Sequence, residues 1–463
     1  MIREAADQKR TNGNKTLHMA NKKSVLTILI FIFYCAAVFP QIAGGELRLS
    51  LREAQDYAVG NNKLVLSARS DIKASKAALW ETISAGLPQI EASGSFMDNL
   101  KLVTTLLPGE FFGQPGEKIP VTFGSKYSSS GSIQASMLLF SAPYYIGIET
   151  SKLVQKLSDQ NLEKSELETK ESVSSIYFLI LVSEKSLEIL EQNISNLNET
   201  LKSTQAMYAA GMAESTDVDQ MASNVTMSEN SKSIMKRTIE MNYNLLRFQL
   251  GVPVDTKITL TGTLESLIAE IDVQALLSQT FDYKNNVDYR LVESQEIMNS
   301  LSLKTARASV LPTLAGFYNY GTNGMGDKFS DIRWFPNSMA GLQLSVPIIA
   351  GGQRYAKISR ARINLEKAQI TKDMVTEQLL VQEKQLRYNL LNANIQYKSQ
   401  KENVEVSQRV YKSTENKYRQ GMASSLELTQ ANSLFLQAEN NYISALMDLL
   451  QSKLALDKLL NNL

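Results

Sequence analysis

Cysteine and histidine are nearly missing from the 463-residue sequence, which has one of each, Cys35 and His18. Cys35 lies in an N-terminal apolar run and His18 precedes it. If that segment is removed, the remaining chain has neither residue. This excludes disulfides, thiol nucleophiles, zinc sites with Cys or His ligands, and every triad with a histidine base. An excess of charge is also lacking. The 48 Lys plus Arg and 47 Asp plus Glu leave a formal charge of +1, so nothing marks nucleic acid as a partner. No phosphate loop, metal cluster or nucleophile–base pair is present. The sequence therefore implies no catalytic residue, cofactor or metal, and the chain is not read as an enzyme. Beyond Gly45 no apolar run approaches the length of a membrane-spanning helix.

What is present begins with an export signal. Lys22 and Lys23 flank a 14-residue apolar run over residues 25–38. A spanning helix needs about 20 apolar residues, so the run suits a signal-peptide core. Cleavage after Ala37 or near residues 43–45 and a start at Met19 both fit; a single membrane anchor is the alternative. Tyr34 before Cys35 departs from a lipoprotein signal. Residues 1–45 are assigned to this N-terminal extension, and the mature chain is expected to be exported.

The rest repeats itself. Asn61-Asn62 precedes Leu87-Pro88 by 26 residues, and Asn285-Asn286 precedes Leu311-Pro312 by the same 26. Tyr208, Gly211, Met212 and Ala213 match Tyr418, Gly421, Met422 and Ala423 at an offset of 210. The first match has an offset of 224, so the first copy carries about 14 extra residues, mainly between the Leu-Pro motif and the next apolar strand. The expected organisation is two repeats, 46–253 and 254–463.

Glycine and proline are absent from 148–210, 353–420 and 422–463, runs of 63, 68 and 42 residues. A compact domain cannot bury helices this long, so the pattern predicts a coiled coil or similar array. Ile358, Ala361, Leu365 and Ala368 follow 3-4 spacing, and Val375, Leu379 and Leu386 continue it. Leu390, Tyr397, Val404, Tyr411 and Tyr418 then recur every seven residues. On the last helix Ala431, Leu434, Ala438, Ala445, Leu449, Leu456 and Leu460 are expected to face inward.

Between the helices lie strand pairs. Ile90, Ala92, Gly94 and Phe96 alternate with Glu91, Ser93 and Ser95, and Ile133, Ala135, Met137 and Leu139 with Ser132, Gln134 and Ser136. The second repeat has Leu314, Gly316, Tyr318 and Tyr320, then Leu342, Leu344, Val346 and Ile348 against Gln343 and Ser345. Period-two alternation gives each strand one apolar and one polar face. No separate segment supplies a core for the apolar face. Lipid outside and water inside satisfy both faces, as in an outer-membrane barrel. Four strands cannot close a barrel, which needs about eight or more, so several copies must contribute.

In this order and duplication the chain resembles the TolC family of outer-membrane efflux channels, from Leu47 to Leu463. The resemblance rests on Leu51 to Ala54 with Asn61-Asn62, Leu87-Pro88-Gln89-Ile90, Leu311-Pro312-Thr313-Leu314, Val346-Pro347 through Gly351-Gly352, and the two Gly-Met-Ala turns. It implies a mainly α fold with a small β part: long coiled-coil-like helical hairpins plus four membrane strands per chain, in a trimeric α/β barrel with a periplasmic tunnel. It also implies an outer-membrane conduit in a tripartite efflux or type I export system. A homotrimer would work with a periplasmic adaptor and an inner-membrane pump, set in outer-membrane lipid. An exported helical filament or surface structural protein is the other class.

The resemblance assigns adaptor docking to Gly211, Met212, Ala213, Gly421, Met422 and Ala423. Plain helix stops explain the glycines but not an apolar methionine at each exposed turn. It assigns a pore gate to Asp217, Tyr418 and Glu427, with a Tyr418–Asp217 hydrogen bond narrowing the opening. Gln430 takes a second acidic position of the family pattern, and Ala423 takes an arginine position. Alternatively, Glu427 is a solvated surface residue and Tyr418 only seam packing. In the first repeat the strand-to-helix handover from Met137 to Pro143 lacks the double glycine of Gly351-Gly352.

Overall fold

A computed structural model describes residues 46–113, 116–269 and 271–463. The expected signal segment, with His18 and Cys35, lies outside the described residues. The chain divides into two units. The described part of the smaller one is residues 46–48 and 255–259, where the extended ends of β1 (Leu47–Leu49) and β6 (Ile258–Leu260) pair. Leu47 N–H donates to the Lys257 carbonyl at 2.9 Å. The Glu46 carboxylate accepts from the Thr259 hydroxyl at 2.7 Å.

The larger unit runs helix, strand, helix twice. Its first half contains α1 (Leu51–Asn61), α2 (Lys63–Ser84), β2 (Gln89–Asp98), β3 (Val103–Pro108), β4 (Lys118–Phe123), β5 (Tyr127–Phe140), α3 (Ala142–Ala209) and α4 (Ser215–Leu250). Its second half contains α5 (Leu264–Ala269), α6 (Val273–Ser278), α7 (Val287–Ala308), β7 (Thr313–Gly326), β8 (Arg333–Ser345), α8 (Gln353–Arg419) and α9 (Ser425–Leu460). The extra length of the first half is the β3–β4 hairpin, where β7 and β8 are joined by a short turn.

The duplicated Asn-Asn motif has a physical reason. Asn62 and Asn286 are the N-caps of α2 and α7, and each side-chain oxygen accepts a backbone N–H two residues on, at 2.8 and 2.9 Å. Each amide nitrogen also reaches a carbonyl late in a returning helix, Gln249 of α4 at 2.8 Å and Leu459 of α9 at 3.5 Å. One residue type thus starts a helix and ties it to the end of another, in both halves.

Helices α3 and α8 have 68 and 67 residues, which at 1.5 Å per residue is about 100 Å each. Helix α4 packs on α3, α3 on α9, and α9 on α8. Of the expected seam, Ala368, Leu379, Leu390, Tyr411 and Tyr418 are buried, with Tyr397 and Val404 packed on their edges. On α9, Ala431, Ala438, Ala445, Leu449 and Leu456 are buried. Leu434 is not: it is 64% exposed, and Phe435 takes the inward position, stacked on Tyr411 at 5.7 Å. The inward face runs Leu428, Ala431, Phe435, Ala438, so its 3-4 alternation skips position 434.

The strands form an antiparallel sheet in the order β2-β5-β7-β8. Its register puts Ile90 opposite Ala135, Ala92 opposite Ile133, Gly316 opposite Leu342, and Leu314 opposite Leu344, all on one face. Glu91 opposite Gln134, Ser93 opposite Ser132 and Ala315 opposite Gln343 lie on the other. On that face the hydroxyls of Ser93 and Ser132 are 2.9 Å apart and those of Ser95 and Ser130 are 2.8 Å apart. Phe317, opposite Ser136, interrupts the polar face. Among the described residues no helix is long and apolar enough to cross a membrane, which says nothing of a barrel.

Candidate functional site

The predicted docking and gate residues converge where α3 turns into α4 and α8 into α9. Both turns close the same way. Met212 N–H donates to the Met207 carbonyl and Met422 N–H to the Lys417 carbonyl, each at 2.8 Å. Gly211 and Gly421 N–H donate to Tyr208 and Tyr418, each at 2.9 Å. This pair of bonds is a Schellman stop, which needs a left-handed residue, and Gly211 and Gly421 have φ of 74° and 70°. The glycines are therefore explained by helix termination. The methionines are not: Met212 is 74% and Met422 66% exposed. Ala423 packs under the turn against the Tyr411–Phe435 cluster, and Ala213 is half-buried.

Asp217 and Glu427 occupy the same third position of α4 and α9. Each carboxylate accepts a backbone N–H at the helix start, from Glu214 at 3.0 Å and from Ser424 at 2.7 Å. Ser424 Oγ accepts the Glu427 N–H at 3.2 Å, which completes a capping box. These bonds favour the ionised form. The Ser424 bonds hold the Glu427 carboxyl below its ordinary range. The Ser425 hydroxyl, then the Glu214 N–H, do the same for Asp217.

The two hairpins meet through polar bonds. Ser425 donates to Asp217. The Tyr418 hydroxyl lies 2.7 Å from that of Thr204, both buried. Asn193 donates to Asn432 at 2.7 Å, also buried. Arg419 reaches Glu199 at 3.5 Å on the exposed rim. The structure does not join Tyr418 to Asp217 within the chain. Tyr418 ends α8 facing α3, whereas Asp217 opens α4 facing the first residue of α9. The partners Thr204, Asn193 and Asn432 were missed from sequence. The signal was available: Asn193 and Thr204 lie with Leu197 and Thr200 at 4-3-4 spacing on one stripe of α3.

The paired tyrosines differ. Tyr418 is 5% exposed and Tyr208 51%. Burial pushes the neighbouring Tyr411 phenol up to about 12. Higher on α9, Glu439 has a carboxylate oxygen with no hydrogen-bond partner. Desolvation pushes its carboxyl up to about 7.

A family profile described as "Outer membrane efflux protein" matches residues 56–252 and 301–462. The solvent efflux pump outer membrane protein SrpC of Pseudomonas putida is 27% identical over 237 residues, 48% of this chain and 47% of that protein. The chain thus spans about half the length of that relative. The pyoverdine export outer membrane protein OpmQ of Pseudomonas aeruginosa is 22% identical over 314 residues, 66% of this chain and 64% of that protein. Among solved structures, the outer membrane protein VceC of Vibrio cholerae superposes with a TM-score of 0.69 at 14% identity, over 89% of this chain and 95% of that one. The profile covers well over half of the sequence in both halves, and the chain belongs to the outer membrane efflux protein family.

Proposed function

We propose that this chain is the outer-membrane channel of a tripartite efflux or export system. It is a passive conduit built from two repeats, 46–253 and 254–463, and assembled as a homotrimer. The observation that carries the reading is the two-faced sheet with open edges. Among the described residues β2 and β8 each have a partner on one side only. Lipid supplies no hydrogen bonds for such edges. Strands β5 and β7 have 14 residues and β8 has 13, enough for the roughly 9–11 residues that a tilted membrane strand needs. Edge-to-edge association of copies satisfies the open ladders and puts the serine-rich face toward water.

The helices support the same association. Helix α4, outermost on one side, exposes Met227, Ile234, Met241 and Phe248 at seven-residue spacing. Helix α8, outermost on the other, exposes Val381, Tyr388 and Ile395 at the same spacing. A narrow stripe of this kind suits a coiled-coil seam, and among the described residues each stripe lacks a partner. Three copies joined head to tail bring the stripes together and close the ring.

The Gly-Met-Ala turns are then read as the docking points of a periplasmic adaptor linked to an inner-membrane pump, with Asp217, Tyr418 and Glu427 as gate residues near the same tips. Mass measurement of the detergent-extracted protein tests the reading. A heat-resistant trimer from the outer-membrane fraction is expected, and a monomer or a filament shed into the medium refutes it.

A further inference from the structure

Strand β8 hands over to α8 through residues 346–352, and immediately below lies an uncompensated basic groove. It has a volume of about 490 Å³ and is lined by Ser309, Gln353, Arg354, Ala356, Lys357 and Arg360. Arg354 is half-buried, and its guanidinium donates to the Pro347 carbonyl at 3.0 Å, which fixes the loop against the groove. Lys357 and Arg360 are exposed. Among the described residues no carboxylate pairs with any of the three. The neighbouring sequence offers none: between Asp331 and Glu366 there are five basic residues and no acidic one. Elsewhere on the long helices charges are commonly matched, as in Lys372–Glu296 and Arg419–Glu415. Three cations within two helical turns repel one another unless an anion lies between them.

We propose that this groove binds a phosphate group. Two planar guanidiniums and one flexible ammonium stem suit phosphate oxygens, which accept several charge-assisted hydrogen bonds at once. Two sources can supply the group. The groove lies ten residues after Leu344 on the apolar sheet face, and Ile348, Ile349 and Tyr355 beside it are 84%, 88% and 81% exposed. Apolar prongs next to a basic cluster fit the headgroup level of an anionic phospholipid. A soluble phosphorylated anion offers the same oxygens. The lipid source rests on the membrane placement proposed above; the phosphate site does not.

The test uses the delipidated full chain in neutral detergent. Thermal unfolding is followed with inorganic phosphate against chloride at matched ionic strength, and with phosphatidylglycerol against phosphatidylcholine in mixed micelles. A ligand that binds only the folded state raises Tm. Wild type should gain several degrees. The triple variant Arg354→Gln, Lys357→Gln, Arg360→Gln should lose the gain, and the charge-keeping Arg354→Lys, Lys357→Arg, Arg360→Lys should retain part of it. A gain with phosphatidylglycerol alone identifies a lipid headgroup; a gain with inorganic phosphate identifies a soluble anion. Absence of both gains in wild type, or equal gains in the glutamine variant, overturns the site. If the triple variant fails to fold, Lys357→Gln alone must show a reduced gain. Mass measured on the same samples keeps the two proposals separable, because loss of the trimer would refute the channel reading and leave the phosphate response readable.

Discussion

The hydroxyls of Tyr418 and Thr204 lie 2.7 Å apart in the seam between the two hairpins. Thr204 Oγ1 also donates to the Thr200 carbonyl at 2.9 Å, so that hydrogen goes to its own helix and Tyr418 supplies the bridging one. Tyr418→Phe removes the bridge without opening a cavity. It should cost about 1 kcal/mol and raise the conductance of the isolated channel in planar bilayers. Unchanged conductance would leave Tyr418 as packing for the Tyr411–Phe435 cluster.

Glu427→Gln separates charge from capping. Glutamine still accepts the Ser424 N–H in a capping box, so stability should change by only a few tenths of a kcal/mol. If one carboxylate per chain rings the opening, cation preference should fall. Reversal potentials in asymmetric KCl read this directly. The same preference in variant and wild type would assign Glu427 to the cap alone.

Met212 and Met422 are exposed at turns whose glycines already account for the helix stops. Changing both to Asp leaves the Schellman bonds and the buried cluster untouched. If the turns dock an adaptor as proposed, export should be lost, while the oligomer and its membrane location persist. Normal efflux of a toxic substrate by cells carrying the double variant would reduce the turns to stops.

Leu344 and Gln343 are neighbours on opposite faces of β8. Leu344→Arg should hinder assembly, but by less than the roughly 2–4 kcal/mol of a mid-membrane site, because Leu344 is the penultimate residue of β8. Gln343→Arg, on the serine-bearing face, should be milder. Heat-resistant oligomer on gels measures both, and equal yields would mean that the faces are exchanged.

Glu439 gives a pH dependence. Its folded carboxyl is pushed up to about 7, whereas an unfolded glutamate titrates near 4.3. Its contribution to stability is therefore fully present below the unfolded value and is lost as pH rises through about 7. Glu439→Gln should be nearly neutral at pH 4 and stabilising at pH 8. Thermal melts at the two values give the comparison, and identical differences at both would show that the carboxyl is solvated in the assembled protein.

Helix lengths, strand faces and turns were determined by the sequence alone, because each depends on local chemistry or a short period. Runs without glycine or proline became α3 and α8, alternation assigned Ile90 and Leu344 to one face, and Gly211 and Gly421 stopped the helices. The duplicated Asn-Asn motif was visible, but its double role as cap and tie was not, since the tie reaches Gln249, 187 residues away. Tertiary packing alone decided the rest. It buried Tyr418 and left Tyr208 half exposed although the two motifs match. It turned Phe435 inward in place of Leu434, and within the chain it paired Asp217 with Ser425. A side chain's periodicity says which stripe it lies on. Which helix that stripe meets, and at what height, is set by elements some 200 residues apart in the chain, and no local pattern encodes that register.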